Sequence, residues 1–363
     1  MSSSPINKDL SASRRVLIYR LGSLGDTVVA LPALHLVAKA FPHAERRMLT
    51  NIPVNAKAPP VAAILENTGL VHDYFRYTVG TRSIADLARL WWTLKRWRPD
   101  VLVYLGSARG IASAKRDDSF FRLCGINNRF GIPGTEVMQQ NRWDDLTQSF
   151  EPEASRLARN LADLGEVDLD APESWNLHLS ADEILRADEA LSSLGDRPII
   201  AVSVGTKVQS KDWGRENWRD LLSSLARLYQ GYALALAGAP EESESSEFAA
   251  DGWRASGGGP VANLCGRLKP RESAAAFRRA RLFVGHDSGP MHLAAAVQTP
   301  CVAIFAARNK PRVWFPYGAN HRVVYHKTNC WGCGLETCIV EKKRCLTSIS
   351  VDEVVEQVRA VLG

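Results

Sequence analysis

Short apolar runs alternate with amphipathic stretches through the first half of the chain. Residues 15–20 (RVLIYR) form a β-rich run, which a glycine turn joins to an apolar, helix-like stretch that reaches residue 40. Residues 100–105 (DVLVYL) are typical of a buried strand, and they follow an amphipathic stretch at residues 84–97. Strands that alternate with helices in this way predict α/β units with a mostly parallel sheet.

A second series of the same kind follows a polar stretch at residues 166–198, where we place the domain linker. One helix is predicted inside this stretch, near residues 181–194. Beyond it, strands are predicted at residues 199–204, 232–237, 282–284 and 301–305, and helices at residues 216–229, 273–280 and 289–297. Ser350 and Glu353 have the spacing of a capping box, which predicts the start of a final helix.

Together the two series predict an α/β fold with two doubly wound, Rossmann-like domains. Ligands of such sheets bind beyond the carboxyl ends of the strands, so we expect a cleft between the domains. The predicted boundaries are a disordered lead-in at residues 1–14, a first domain at 15–178, a second domain at 179–349 and a final helix at 350–363.

Composition narrows the class of protein. The chain has 363 residues, of which 45% are hydrophobic, and this excludes a disordered or collagen-like protein. We see neither the apolar run of about 20 residues that a membrane span needs nor the apolar core of a signal peptide, and we expect a cytoplasmic protein. The net charge of +6 fits a phosphate-bearing ligand or an anionic membrane surface and does not require nucleic acid.

The turn after the first strand carries the first candidate for chemistry. Gly22, Ser23 and Gly25 allow the backbone to turn sharply, and Asp26 follows them at the start of the predicted helix. A carboxylate held there can accept a proton from a substrate hydroxyl. A purely structural role for Asp26 as a helix N-cap is the alternative.

Three turns of the second series contain further candidates. The N–H groups that start a helix after Asp287 form an anion site suited to a diphosphate. A basic loop after residue 204 can neutralise a leaving phosphate, and Glu242, in the turn at residues 238–242, can accept from ribose hydroxyls. Each turn also permits a plain structural role. The candidates in the basic loop and the helix start are Thr206, Lys207, Lys211, Asp287, Ser288, Gly289 and His292.

Four of the seven cysteines lie within sixteen residues: Cys330, Cys333, Cys338 and Cys345. In a cytosolic chain this density favours a structural metal, zinc or iron, over disulfides, and reduced thiols that pack a loop are the alternative. Residues 89–98 combine three tryptophans with four basic residues. Such a stretch could contact an anionic lipid surface or a phosphorylated core sugar. The alternative is a solvated helix face with a tryptophan stripe that packs in the core.

Several of these segments, in the same order, resemble glycosyltransferase family 9, the ADP-heptose:lipopolysaccharide heptosyltransferases. The likeness rests on RVLIYRLGSLGDTVVALPAL at residues 15–34, SKDWGRENW at 210–218, GAPEE at 238–242 and FVGHDSGPMHLAAAVQTPCVAIF at 283–305. The chain departs from the better-known members at Pro290-Met291 and at residues 306–309, near the expected sugar site. Another nucleotide-sugar is therefore an open alternative to ADP-heptose.

The resemblance implies a GT-B fold, with the acceptor on the first domain, the donor on the second and the final helix packed back on the first. It implies an inverting reaction that needs no metal cofactor, from a nucleotide-sugar to a lipid-linked or lipopolysaccharide glycan, at the inner face of the inner membrane. Asp26 would be the general base and Leu268 would lie against the nucleotide base. Contacts to the diphosphate, the ribose and the donor sugar would come from Thr206, Lys211, Glu242, Asp287, Ser288, Gly289 and His292.

Other classes of protein are weighed against this one. Asp168-Leu169-Asp170 has the Asp-x-Asp pattern of a metal-dependent transferase, but it lies in the linker. A nicotinamide enzyme would need a dinucleotide fingerprint, which the glycine turn lacks. A non-catalytic, two-lobed nucleotide-sugar-binding protein stays an alternative, and we expect no nucleic-acid partner.

Overall fold

The computed structural model describes residues 12–51, 61–78, 81 and 83–363. Residues 1–11, most of the predicted lead-in, lie outside the described residues. The chain divides into two compact units, the first ending at His178 and the second beginning at Leu179.

In the first unit, buried strands such as β1 form the sheet, and Val16, Leu17 and Ile18 are fully shielded from solvent. The strands are β1 (Arg15–Tyr19), β2 (Glu45–Asn51), β3 (Asp73–Tyr77), β4 (Val101–Tyr104), β5 (Asn128–Phe130), β6 (Trp143–Asp144) and β7 (Ser149–Phe150). The helices are α1 (Leu24–Val29), α2 (Leu31–Ala40), α3 (Ala62–Leu65), α4 (Ile84–Trp97), α5 (Ile111–Leu123), α6 (Glu136–Gln139) and α7 (Glu153–Asn160).

Within the described residues, the first five strands form one parallel sheet in the order β3-β2-β1-β4-β5. Chain order reverses between β1 and β4, and the loops that follow these two strands emerge together at the carboxyl edge. The single helix predicted up to residue 40 is divided at Ala30 into α1 and α2. Pro32 lies in the first turn of α2, where its missing N–H needs no intrahelical partner.

The second unit repeats this architecture. Its strands are β8 (Ile199–Ser203), β9 (Ala233–Leu236), β10 (Val261–Asn263), β11 (Leu282–His286), β12 (Cys301–Phe305) and β13 (Arg322–Tyr325). Its helices are α8 (Ala181–Leu191), α9 (Arg215–Leu228), α10 (Ser243–Ala255), α11 (Pro270–Arg278), α12 (Gly289–Ala296), α13 (Arg344–Thr347) and α14 (Val351–Leu362). The strands pair in parallel in the order β10-β9-β8-β11-β12-β13, so the order in which the chain adds strands to this sheet reverses between β8 and β11.

Helix α14 packs on the second unit's own sheet. Val354, Val355 and Val358 are buried in the core cluster that also contains residues of α9, β11, β12 and β13. This apolar face is thus used within the second unit, and the expected packing of the final helix on the first domain stays a prediction. Ser350 caps the helix as predicted, by accepting from the N–H of Glu353, whose carboxylate pairs with His326 at 2.8 Å.

Candidate functional site

Asp26 lies in the first turn of α1, directly beyond the carboxyl end of β1. Its Oδ2 accepts hydrogen bonds from the N–H and the hydroxyl of Ser23, both at 2.7 Å. Its Oδ1 lies 3.8 Å from the guanidinium of Arg20, which is buried and also donates to the Asp26 carbonyl. The side chain of Asp26 stays 25% exposed. The carboxylate is thus fixed in place and open to solvent.

Close packing explains the first glycine of this turn. A Cβ on Gly22 would lie 2.5 Å from the Cβ of Asp26, and the φ of Gly22 is +137°, which disfavours any other residue. Ser23 is the N-cap and Asp26 occupies the third helical position, so the N-cap role weighed for Asp26 belongs to Ser23. Gly25 is buried in the same turn. Gly22, Ser23 and Asp26 therefore form one compact turn.

A tyrosine cluster that the sequence reading missed lies at the same edge of the first sheet. Tyr19 and Tyr77 share a hydrogen bond of 2.8 Å between their hydroxyls. Arg109, in the loop after β4, donates to the hydroxyls of Tyr19 and Tyr104 and to Asp117 Oδ2, at 3.1, 3.2 and 2.6 Å. Burial raises the pKa of Tyr104 to about 12, so its hydroxyl stays protonated. The available signal was that β1, β3 and β4 each end in tyrosine.

In the second unit, Lys211 and Asp287 meet beyond β8 and β11, where the strand order of the sheet reverses. The ammonium of Lys211 lies 2.7 Å from Asp287 Oδ2 and donates to the Asp287 carbonyl at 3.0 Å. Asn309, in the loop after β12, donates to the same Oδ2 at 2.9 Å. Asp287 therefore orients the loop that carries Lys211 and the loop that carries Asn309. Asn309 was not among the predicted site residues.

Glu242 lies against the backbones of two glycines. A Cβ on Gly205 would lie 2.0 Å from Glu242 Cδ, and a Cβ on Gly238 would lie 2.4 Å from Glu242 Oε2. The N–H of Ala239 donates to Oε2 at 2.8 Å. Burial raises the pKa of Glu242, against the opposing influence of this N–H and of Lys207. A half-buried carboxylate in such a pocket can accept from sugar hydroxyls.

The other predicted residues line the same carboxyl edge. Ser288 is the N-cap of α12, and its hydroxyl is buried with no hydrogen-bond partner among the described residues. Gly289 starts the helix, while His292, one turn further, is buried with its ring 6.5 Å from that of Trp314. Thr206, Lys207 and Leu268 lie in the loops after β8 and β10, with Thr206 and Leu268 half-buried and Lys207 exposed.

His286, the last residue of β11, also supports this edge. Its Nε2 accepts from the N–H of Trp213 at 3.1 Å, and Trp218 packs edge-on against its ring. Burial lowers the pKa of His286 to about 4, so the imidazole is neutral at physiological pH. The ring therefore links the loop that carries Lys211 to the strand that precedes Asp287.

The cysteine-rich loop, residues 330–345, is attached to the loops of this site by hydrogen bonds that its backbone carbonyls accept. The N–H of Ser210 donates to the carbonyl of Glu336 at 3.0 Å, and the Ser210 hydroxyl donates to the carbonyl of Leu335 at 2.6 Å. Arg308 donates to the carbonyls of Leu335 and Gly334 at 2.7 and 2.6 Å. The cysteine-rich loop thus braces the segments that carry Lys211 and Asn309.

The four thiols of that loop are free, and Cys330 and Cys333 are exposed. Burial raises the pKa of Cys345, and the other three thiols raise it further. Across the described ranges, no three or more His, Cys, Asp or Glu side chains are grouped to hold a metal ion. The arrangement of Cys330, Cys333, Cys338 and Cys345 therefore does not support the predicted structural zinc or iron.

Comparison with known proteins identifies the family to which the sequence is similar. The sequence model of glycosyltransferase family 9 (heptosyltransferase) matches residues 138–344, more than half of the chain. A curated relative, lipooligosaccharide heptosyltransferase 2 of Campylobacter jejuni, is 28% identical over 102 residues. That alignment covers 28% of this chain and 32% of the relative, so the chain matches about a third of the relative's length.

Two solved structures match nearly the whole chain. The glycosyl transferase family 9 protein of Veillonella parvula superposes with a TM-score of 0.67 at 19% identity, covering 96% of this chain and 97% of the other. The Escherichia coli heptosyltransferase WaaC with ADP-2-deoxy-2-fluoro heptose gives 0.60 at 19% identity, covering 95% and 99%. These matches confirm the predicted GT-B fold of two Rossmann-like domains. With the family model spanning more than half of its residues, the chain belongs to glycosyltransferase family 9.

Proposed function

We propose that this protein transfers a heptose from ADP-heptose to a lipopolysaccharide core or a related surface glycan, on the cytoplasmic side of the inner membrane. Family membership supports sugar transfer, and the names of the relatives support heptose and its nucleotide. The observation that carries the proposal is the Lys211–Asp287 pair, a fixed cation at the point where a nucleotide-fold sheet changes direction.

The second unit would hold the donor. We assign the diphosphate to Lys211, Thr206 and the first N–H groups of α12, since an ammonium and a helix N-terminus both stabilise phosphate charge. Glu242 would accept from the ribose hydroxyls, and Leu268 would contact the base. Ser288 and His292 would face the donor sugar.

The first unit would supply the base. Asp26 would accept the proton of the acceptor hydroxyl while that oxygen forms a bond to the anomeric carbon. The bond from this carbon to the diphosphate oxygen breaks on the opposite face, so the configuration inverts. ADP leaves with the bond's electron pair, and Lys211 stabilises the charge that develops there.

Arg109 would orient the acceptor. Its side chain keeps 30% of its surface exposed while three groups of the tyrosine cluster hold it. A guanidinium in this position suits a phosphate or carboxylate on a core sugar.

We also propose that transfer needs no divalent cation. Lys211 and the start of α12 supply positive charge at the place assigned to the leaving diphosphate, which is the task a metal ion performs in other transferases. Full activity after treatment with a chelator would agree with this, and loss of activity restored by Mg²⁺ or Mn²⁺ would contradict it.

Asp26→Asn tests the base assignment. An asparagine oxygen can still accept from Ser23, so the turn should fold, but the amide cannot take up a proton. We expect the rate of transfer to fall by about 10²–10⁴-fold. The affinity for ADP, measured by calorimetry, should stay within about twofold of the wild type.

The matched control is Asp182→Asn, an exposed aspartate in the first turn of α8. It should keep wild-type transfer. Transfer at the wild-type rate in Asp26→Asn would refute the base assignment. A non-catalytic binding protein would show no turnover in the wild type or in either variant.

A thermal-shift screen of nucleotide-sugars tests the donor. A ligand that binds only the folded chain raises the unfolding temperature by mass action, so ADP-heptose should stabilise the protein more than UDP- or GDP-sugars. A larger shift with another nucleotide-sugar would identify that compound as the donor.

A further inference from the structure

Helix α4 exposes large apolar side chains on the first unit. Ile84 is 83% exposed and Trp92 61% exposed, and Leu87 and Trp91 are also open to solvent. Of the residues of α4, Leu94 is the buried one. The alternative of a tryptophan stripe in the core is therefore wrong for Trp91 and Trp92.

These side chains share one side of the helix. Positions three, four, seven and eight residues apart lie on the same face, and Ile84, Leu87, Ala88, Trp91 and Trp92 have this spacing. We call these five residues the tryptophan face. Over its 14 residues α4 is about 21 Å long, so the face is an elongated strip rather than a single exposed residue.

Basic side chains flank the tryptophan face. Arg89, Lys95, Arg96 and Arg98 are all exposed, and Asp86 is the one carboxylate within α4. Asp86 pairs with Arg89 at 3.7 Å, which leaves the basic residues of the last turn to set the charge of the surface. The surface therefore combines apolar contact area with a net positive charge.

We propose that the tryptophan face and its basic flanks dock the first unit on the surface of an anionic lipid bilayer. Tryptophan prefers the boundary between headgroups and acyl chains, isoleucine and leucine enter the acyl edge, and Lys and Arg attract anionic headgroups. Within the part of the chain that the structure describes, no helix has the length and hydropathy of a membrane span.

The direction of α4 relates the proposed membrane contact to the edge of the sheet that carries Asp26. The helix follows β3 in a parallel sheet, so its first residue, Ile84, lies toward the carboxyl edge, the edge that also carries Asp26. A membrane contact at this helix would bring that edge near acceptors anchored in the same bilayer. The docking does not depend on the proposed transfer reaction and is tested without it.

The charge of the surface favours lipid over a protein partner. An apolar strip alone would serve equally well as an interface between two copies of the chain. A net cationic strip on each copy would bring like charges together in a symmetric pair, whereas an anionic bilayer complements it.

Sedimentation with vesicles tests the proposal on the full chain. Vesicles of phosphatidylethanolamine with phosphatidylglycerol should pellet the protein, and vesicles of phosphatidylcholine should do so far less. Since each cation near the surface contributes about fivefold to binding, Arg89→Gln/Lys95→Gln/Arg96→Gln should weaken it about 100-fold. Ile84→Ser/Trp92→Ser should weaken it at least tenfold, and 0.5 M salt should release the wild type.

Leu146→Ser/Val137→Ser is the matched control, because both side chains are as exposed as those of the tryptophan face. It should bind like the wild type, and equal unfolding temperatures would show that all variants are folded. Equal pelleting of the variants and the control, or equal binding to both kinds of vesicle, overturns the proposal. A wild type that dimerises in light scattering through Trp92 and ignores vesicles overturns it in favour of a protein partner.

Discussion

Lys211 contacts Asp287 twice, through the carboxylate at 2.7 Å and through the backbone carbonyl at 3.0 Å. A single lysine thus joins the loop after β8 to the loop after β11, at the place where the strand order reverses. Because both side chains are largely buried, the cation is held in position before any ligand arrives. This pre-arrangement is what electrostatic catalysis requires, since no energy is then spent on reorienting the cation during the reaction.

Removing Asp287 should therefore weaken both the fold and donor binding. Asp287→Ala leaves the ammonium of Lys211 without its carboxylate, and we expect the free energy of unfolding to fall by about 3 kcal/mol. Affinity for ADP should fall about tenfold, as measured by calorimetry. Asp287→Asn, which keeps an acceptor for Asn309 or Lys211, should lose less of both.

A double-mutant cycle checks that the pair itself is responsible. The loss of stability in Lys211→Met/Asp287→Ala should be smaller than the sum of the two single losses. Additive losses would show that the two residues act independently.

Gly205→Ala should impair donor binding through Glu242. The new Cβ would lie 2.0 Å from Glu242 Cδ, so the carboxylate must leave its place above the glycine. We expect ADP affinity to fall at least tenfold and stability to fall by about 1–3 kcal/mol. Adding Glu242→Ala to this variant should restore stability and leave ADP affinity low.

Gly231→Ala serves as the comparison, because nothing lies within 4 Å of a Cβ at that position. Its stability and ADP affinity should match those of the wild type. A Gly205→Ala variant that binds ADP as tightly as Gly231→Ala would mean that Glu242 does not contact the nucleotide.

Buried His286 and half-buried His321 predict a loss of stability in mild acid. Burial lowers the pKa of His286 and of His321 to about 4, from an unfolded value near 6.5. The unfolded chain therefore binds more protons between these values, so the contribution to stability is complete above pH 6.5 and is lost as the pH falls toward 4. The loss is on the order of 3 kcal/mol for each histidine.

Urea unfolding between pH 7 and pH 4.5 measures this dependence. The Nδ1 of His321 accepts from the N–H of Cys301 at 3.1 Å, and an asparagine can supply a similar acceptor without titrating. His321→Asn should therefore show a shallower decline than the wild type, and the carboxylates common to both proteins cancel in the comparison. Parallel curves would contradict the assignment for His321.

Arg109→Gln should affect the acceptor and spare the donor. Loss of the guanidinium removes the charge proposed to hold an anionic core sugar, so we expect the KM for the acceptor to rise at least tenfold. The KM for the donor should not change. Arg122→Gln, which removes an exposed arginine paired with Asp118, is the control and should leave both constants unchanged.

Arg109→Lys separates charge from geometry. All three contacts to Tyr19, Tyr104 and Asp117 come from Nη2 of Arg109. A lysine keeps the charge, but its differently shaped side chain does not place its ammonium at the Nη2 position, so rescue should be partial. A change in the donor KM alone would contradict the acceptor role.

The sequence predicted the order of elements well because each is encoded locally. Apolar runs gave β1, β4 and β8 to within about a residue of their observed ends, and the linker was placed where the two units divide. The division of α1 from α2 was missed, although Pro32 marks it. Strands such as β2 and β3 were not singled out, since ERRMLTN and DYFRY carry several polar residues.

Contacts between distant loops were beyond the sequence reading. Tyr19, Tyr77 and Tyr104 meet only because β1, β3 and β4 end at one edge of the sheet, a fact of strand order and register that no local pattern reveals. The contact of Asn309 with Asp287 depends in the same way on β11 lying beside β12. The predicted site residues lie in the turns where the sequence pattern put them, because glycines and helix starts can be recognised from the local sequence.

The bracing of the loops that carry Ser210 and Arg308 by residues 330–345 has a practical consequence. Cys330 and Cys333 are exposed, whereas Cys124, Cys265 and Cys301 are buried, so a thiol-reactive fluorophore will label this brace first. A dye placed there is linked, through the hydrogen bonds of Ser210 and Arg308, to the segments that the proposed function assigns to the nucleotide. On the proposed assignment, the native chain would report nucleotide occupancy optically without the addition of a single cysteine.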